Sequence, residues 1–233
     1  MTPTIAFDAD DTLWHNESNY AQAGVKLQRL LNGYRSDGQV ERTLGEVEIR
    51  NLPIYGYGIK SYTLSMIEGA ISLTDGRISA AEIRQIIGIG QEMLSAGVVL
   101  FDQAQETLAA LAGSFQLMLI TKGDLLEQEV KIERSGLAGF FRYIQIVRDK
   151  SAAAYQQILD RHGIRPGQFL MVGNSLRSDI LPVLEIRARA VYIPYEHTWA
   201  HENPPEDQAH PRHYYELENL GELPALAARL EWE

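Results

Sequence analysis

Two carboxylates carry the first chemistry in this chain. Asp8 and Asp10 stand two residues apart in Ile5-Ala6-Phe7-Asp8-Ala9-Asp10-Asp11-Thr12-Leu13. On an extended segment such side chains point the same way, so both could face one spot just beyond a strand. Crowding them is costly unless a cation, a shared proton or hydrogen bonds relieve the repulsion. The same residues equally suit an acidic turn in which Asp and Thr cap the backbone locally. Further polar residues follow at intervals: Thr121 and Lys122, then Lys150, then Asn174 and Asp179 in Gly173-Asn174-Ser175-Leu176-Arg177-Ser178-Asp179.

Each of these stands after a short apolar run. Thr4 to Phe7 is β-prone and ends where the carboxylates begin. Strands are likewise expected over 115–121, 143–147, 168–172 and 190–193. Helices are expected between them, from Asp124, from Ser151 to His162 before Gly163, and from the 173–175 turn to Arg187. Strands alternating with helices imply a parallel sheet covered on both faces, an α/β Rossmann-like arrangement. Ligands on such sheets bind beyond the carboxyl ends of the strands, where these polar residues lie.

Residues 15–97 have a different pattern. Helical spacing runs over 17–31, a charged segment over 37–50 predicts a second helix broken before Pro53, and 61–73 is a third. Ser79-Ala80-Ala81-Glu82 is a capping box for a fourth, ending near Ala96. The expected organisation is a core of residues 1–14 and 98–233 with an all-helical insert over 15–97. The stretch Ile54-Tyr55-Gly56-Tyr57-Gly58-Ile59-Lys60 fits a pocket lining and, as well, a helix–helix connection. Residues 196–211 read as a long loop, with Trp199 and His201 at the same edge of the sheet as the acidic motif.

Composition narrows the classes. The 233 residues carry a net charge of −10 with no basic stripe, which argues against nucleic acid as the main partner. An anionic ligand would then need a local cation. The absence of cysteine removes disulfides, thiolate nucleophiles and sulfur-ligated metals. No apolar run approaches membrane-spanning length, so a soluble cytoplasmic protein without a membrane partner is the default expectation. Oligomeric state is not legible.

Taken in order, these residues resemble the haloacid dehalogenase superfamily of phosphotransferases. Asp8-Ala9-Asp10-Asp11-Thr12 matches its first motif, Thr121 the hydroxyl of the second, Lys150 the lysine of the third, and 173–179 the acidic fourth. The helical insert sits where the family's cap domain lies. The resemblance implies a hydrolase of a small phosphorylated metabolite. Asp8 would be the nucleophile forming an aspartyl-phosphate, and Asp10 the acid and base at the leaving and attacking oxygens. Asp10 would need to be protonated part of the time, which a neighbouring carboxylate favours. Thr121, Lys122 and Lys150 would bind the phosphate. Magnesium is implied, held by Asp8, the Asp10 carbonyl and Asn174, with Asp179 supporting from behind. Asn174 departs from the aspartate usual there and leaves one less negative charge. Asp10 distinguishes the phosphatases from the dehalogenase branch, which lacks the second acid; a sugar-phosphate mutase shares the first half-reaction. The competing reading is a non-catalytic phosphate-binding or interaction protein with a drifted site.

Overall fold

The computed structural model describes residues 2–199, 202 and 213–232. Two compact units make up the chain, one of residues 1–17, 98–122 and 128–233, the other of 18–97 and 123–127.

The first unit is built on a six-stranded parallel sheet in the order β3-β2-β1-β4-β5-β6. Its strands are β1 (Thr4–Phe7), β2 (Gln116–Lys122), β3 (Tyr143–Val147), β4 (Phe169–Gly173), β5 (Arg189–Tyr192) and β6 (Tyr215–Glu216). Strand alternation divides the apolar side chains between two faces. Ile5, Phe7, Leu117, Leu119, Leu170 and Val172 enter one core, while Ala6, Met118, Ile120, Phe169 and Met171 enter the other. Helices α5 (Ala104–Ala112), α6 (Leu125–Ser135) and α9 (Leu223–Ala227) supply Leu108, Ile132 and Leu223 to the first core; α7 (Ala152–His162) and α8 (Leu181–Glu185) supply Ile158 and Val183 to the second. The chain steps from β1 outward to β2 and β3, then crosses back to β4 on the other side. That reversal is a topological switch point, where a crevice opens at the carboxyl ends of the strands.

The second unit packs α1 (Glu17–Leu31), α2 (Asp37–Tyr55), α3 (Ile59–Leu73) and α4 (Ala80–Ser95) around Leu27, Leu31, Leu44, Tyr62, Met66 and Ile86. The Ser79–Glu82 capping box is present. One sequence expectation is corrected. The second helix does not break before Pro53 but continues to Tyr55. Pro53 deprives the Ile49 carbonyl of a donor, yet Ile49 is exposed and only the last turn is affected. The Ile54–Lys60 stretch is the α2–α3 connection: Gly58, at φ 109, lets the buried Glu127 carboxylate approach and accept the Ile59 N–H at 2.8 Å. Helix α5 and the two-residue β6 were not anticipated. Most of the loop expected over 196–211, His201 included, lies outside the described residues.

Candidate active site

β1 ends at Phe7, and the Asp8 N–H still donates to Val172 O at 2.9 Å, which fixes Asp8 at the mouth of the β1/β4 crevice. The backbone then turns sharply, with Asp11 at φ 61 and the Leu13 N–H on Ala9 O. Asp11 leaves the cluster and caps α1 through the N–H groups of Asn16 and Glu17.

Asp8 is buried and its two oxygens have different partners. Lys150 Nζ donates to Oδ1, and the Thr12 hydroxyl donates toward Oδ2 at 3.0 Å. Lys150 also donates to Asp179 Oδ1 at 2.7 Å, so one buried ammonium serves two buried carboxylates. Asp179 is itself locked by the Ser175 N–H at 3.0 Å. Its carboxylate lies so close to Gly173 that a Cβ there would meet Oδ2 at 2.3 Å, which explains glycine at the end of β4. A single π-helical turn, Leu176–Ile180, returns Asp179 toward the strand end. Burial raises the Asp8 carboxyl to about 7 against the opposing pull of Lys150. The same two carboxylates hold the lysine firmly charged.

Asn174 follows directly on β4. Its Nδ2 donates to the Thr198 hydroxyl at 3.2 Å, which leaves Oδ1 facing the Thr12 hydroxyl at 3.3 Å. The oxygens of Asp8 and Asn174 thus converge on one small group. Among the described residues no three His, Cys, Asp or Glu side chains are grouped as a metal site. The convergent set is instead the Asn174 amide oxygen and the Asp8 carboxylate, itself buried and sharing its one ammonium with Asp179. Hard oxygen donors with an unmet need for a cation fit magnesium, which retains water where protein ligands are few.

Asp10 departs from expectation. Its carboxylate accepts from Lys131 Nζ at 2.8 and 2.7 Å, from Gln128 Nε2 at 2.8 Å and from Trp14 Nε1 at 2.7 Å. Burial opposes the charged form, but the Lys131 ammonium and the donated hydrogen bonds outweigh it and hold the carboxyl below its ordinary range. The expected upward pressure from a neighbouring carboxylate does not decide the matter; Asp10 is a stabilised anion. Gln128 and Lys131, three apart on α6, share one face of that helix. Sequence reasoning missed both, as well as Trp14.

Thr121 is buried at the end of β2. Lys122 Nζ donates to the Ser178 hydroxyl at 2.8 Å and to the Glu202 carboxylate. The structure therefore brings Asp8, Thr12, Lys150, Asn174 and Asp179 into one hydrogen-bonded set. It joins Lys122 instead to Glu202, which sequence reasoning also missed.

A family model described as haloacid dehalogenase-like hydrolase matches residues 2–183. A crystal structure of a haloacid dehalogenase-like family hydrolase from Xanthomonas campestris is 39% identical, covers 97% of this chain and 91% of its own, and superposes with a TM-score of 0.86. The N-acylneuraminate-9-phosphatase of Mus musculus is 22% identical over 97% of this chain and 94% of its own. The 2-haloacid dehalogenase of Pseudomonas syringae shares the fold, with 23% identity, a TM-score of 0.64 and coverage of 98% and 99%.

Proposed function

This chain belongs to the haloacid dehalogenase-like hydrolase family, and from that premise we propose that it hydrolyses a small phosphate monoester through an aspartyl-phosphate on Asp8, with magnesium as cofactor. The observation that carries the reading is the Asp8 carboxylate, buried at the switch point between an ammonium and a hydroxyl. A phosphatase homologue and the presence of Asp10 favour a phosphate ester over a haloacid.

Asp8 Oδ attacks phosphorus, the P–O bond to the alcohol breaks, and water then cleaves the acyl-phosphate to return the carboxylate and release phosphate. Lys150 offsets the charge of the phosphoryl oxygens and of Asp8, while Asp179 fixes its ammonium between them. The Thr121 hydroxyl, from the end of β2, donates to the phosphoryl group. Asp10, held as an anion, is matched to take the proton of the attacking water. Its protonated minority gives a proton to the leaving oxygen, which makes turnover sensitive to the leaving group. Magnesium, held by the Asp8 carboxylate, the Asp10 carbonyl and the Asn174 amide oxygen, would neutralise phosphate oxygens as a Lewis acid. By resemblance, the helical unit serves as a cap that selects the substrate.

The test is a panel of phosphorylated metabolites assayed with magnesium and with chelator, on the wild type and Asp8→Asn. Metal-dependent phosphate release abolished in Asp8→Asn is expected, because an amide is not a competent nucleophile. Near-normal turnover by that variant would dispose of the mechanism, and no turnover across a broad panel would favour the non-catalytic phosphate-binding reading.

A further inference from the structure

Lys122, Ser175 and Ser178 form a second cluster at the same edge of the sheet, one that the reaction above leaves without a task. Their common partner is Glu202, from the segment beyond β5. One of its oxygens, Oε1, takes the Lys122 ammonium, and the other, Oε2, accepts from the Ser178 hydroxyl at 2.6 Å and the Ser175 hydroxyl at 2.7 Å. One cation for one oxygen and two hydroxyls for the other is a complete complement for a planar, two-oxygen anion. The match holds the Glu202 carboxyl down to about 2.

The cluster's place follows from the sheet. Lys122 closes β2 and Ser175 lies just beyond β4, and these are the two strands that flank β1. Lys122 and Ser178 meet at 2.8 Å, so the two flanks join across the end of β1, the strand that delivers Asp8. Each member also neighbours a site residue in sequence: Lys122 follows Thr121, Ser175 follows Asn174, and Ser178 precedes Asp179. The sheet thus brings the cluster to the same strand ends that carry Asp8.

We propose that Lys122, Ser175 and Ser178 are a carboxylate-binding seat which Glu202 fills from within the chain, and for which a carboxylate carried by the substrate competes. The inference rests on the phosphatase reading and narrows it to phosphate monoesters that bear a carboxylate. Glu202 is then a specificity-determining residue: as a tethered competitor it raises the concentration of carboxylated ester needed for binding. Neutral esters do not enter the competition.

Two measurements test this, and the first needs no turnover. Glu202→Ala empties the seat, so sodium formate should raise the melting temperature of that variant saturably. Sodium chloride at equal ionic strength should not, and formate should have no such effect on the wild type or on Glu202→Ala combined with Lys122→Met. Formate acting no better than chloride would overturn the seat. The second measurement compares phospholactate with isopropyl phosphate, which differ in the carboxylate. Glu202→Ala should lower KM for phospholactate about tenfold or more, the worth of one charge-assisted contact, with KM for isopropyl phosphate unchanged. KM values moving together would give Glu202 a purely structural role and overturn the proposal. If Glu202→Ala does not fold, Glu202→Gln keeps the shape, removes the charge and is scored on the same pair. Formate stabilisation in a protein that turns over neither ester would keep the seat and overturn only the phosphatase reading.

Discussion

Replacing Lys131 with methionine tests whether Asp10 handles the leaving-group proton. The ammonium lies 2.7 Å from the nearer Asp10 oxygen, with the two side chains only 16% and 20% exposed. Opposite charges about 4 Å apart at an effective dielectric of about 20 attract by about 4 kcal/mol. Partial solvation reduces that, and a lost cation of this kind raises a carboxyl pKa by about 1–3 units. Gln128 and Trp14 remain to hold the carboxylate in place. A shift of about two units, or about 2.7 kcal/mol, multiplies the protonated fraction near neutral pH about a hundredfold.

A weaker acid transfers its proton less readily, and a Brønsted dependence of about one half returns about tenfold of that gain. Turnover of alkyl phosphates, which need the proton, should therefore rise about tenfold relative to aryl phosphates, which need little. The sign with pH follows from the same group. Alkyl turnover requires the acid form and falls as pH rises through the Asp10 pKa, so in Lys131→Met the fall comes at higher pH. The assay is kcat/KM for an alkyl and an aryl phosphate from pH 5 to 9 in both proteins. An unchanged alkyl-to-aryl ratio with an unmoved profile would refute proton transfer by Asp10 and leave Lys131 a structural partner.

Three further outcomes are expected. Asn174→Asp adds a unit charge to the proposed magnesium ligands and should lower the magnesium concentration for half-maximal turnover; an unmoved titration places Asn174 outside that set. Gly173→Ala forces a Cβ onto the Asp179 carboxylate and should cost about 1–3 kcal/mol in urea unfolding, with loss of turnover; a neutral effect would mean that Asp179 can move without consequence. Burial alone raises the half-buried Glu48 carboxyl from 4.5 to about 7. Between those values the folded chain binds the proton more tightly than the unfolded one, so wild-type stability falls as pH rises through the window, by at most about 3 kcal/mol. Glu48→Gln should match the wild type at pH 4.5 and exceed it at pH 8; equal stability at both would show Glu48 to be solvated.

The core of the candidate site was readable because it hangs on strand ends. A strand end is a local feature of sequence: an apolar run stops, a polar residue follows, and parallel topology carries each such residue to one edge. Asp8, Lys150, Asn174 and Asp179, which the structure joins in one hydrogen-bonded set, are all legible that way. What surrounds them was not. Gln128 and Lys131 look like ordinary solvated helix residues until α6 is placed against Asp10. Their spacing of three is shared by many exposed pairs on a helix. Glu202 stands in a polar stretch of sequence whose composition suggests no partner. Pro53 is a different case: its local preference predicts a break, but with one exposed turn left in the helix only the carbonyl of the exposed Ile49 loses its donor.

The missed residues change the chemistry more than the found ones do. Two carboxylates two residues apart suggest one shared electrostatic problem, but the chain solves it twice. Asp8 is buried and short of positive charge, with one ammonium divided between it and Asp179. Asp10 has an ammonium of its own and two further donors. Residues of like type at motif spacing are thereby driven to opposite protonation tendencies, Asp8 upward and Asp10 downward. That separation follows from helix and strand partners far away in sequence. It leaves Asp8 with an unmet demand for positive charge and Asp10 with its charge already met, so that a change at Lys150 and a change at Lys131 are separate handles on the reaction.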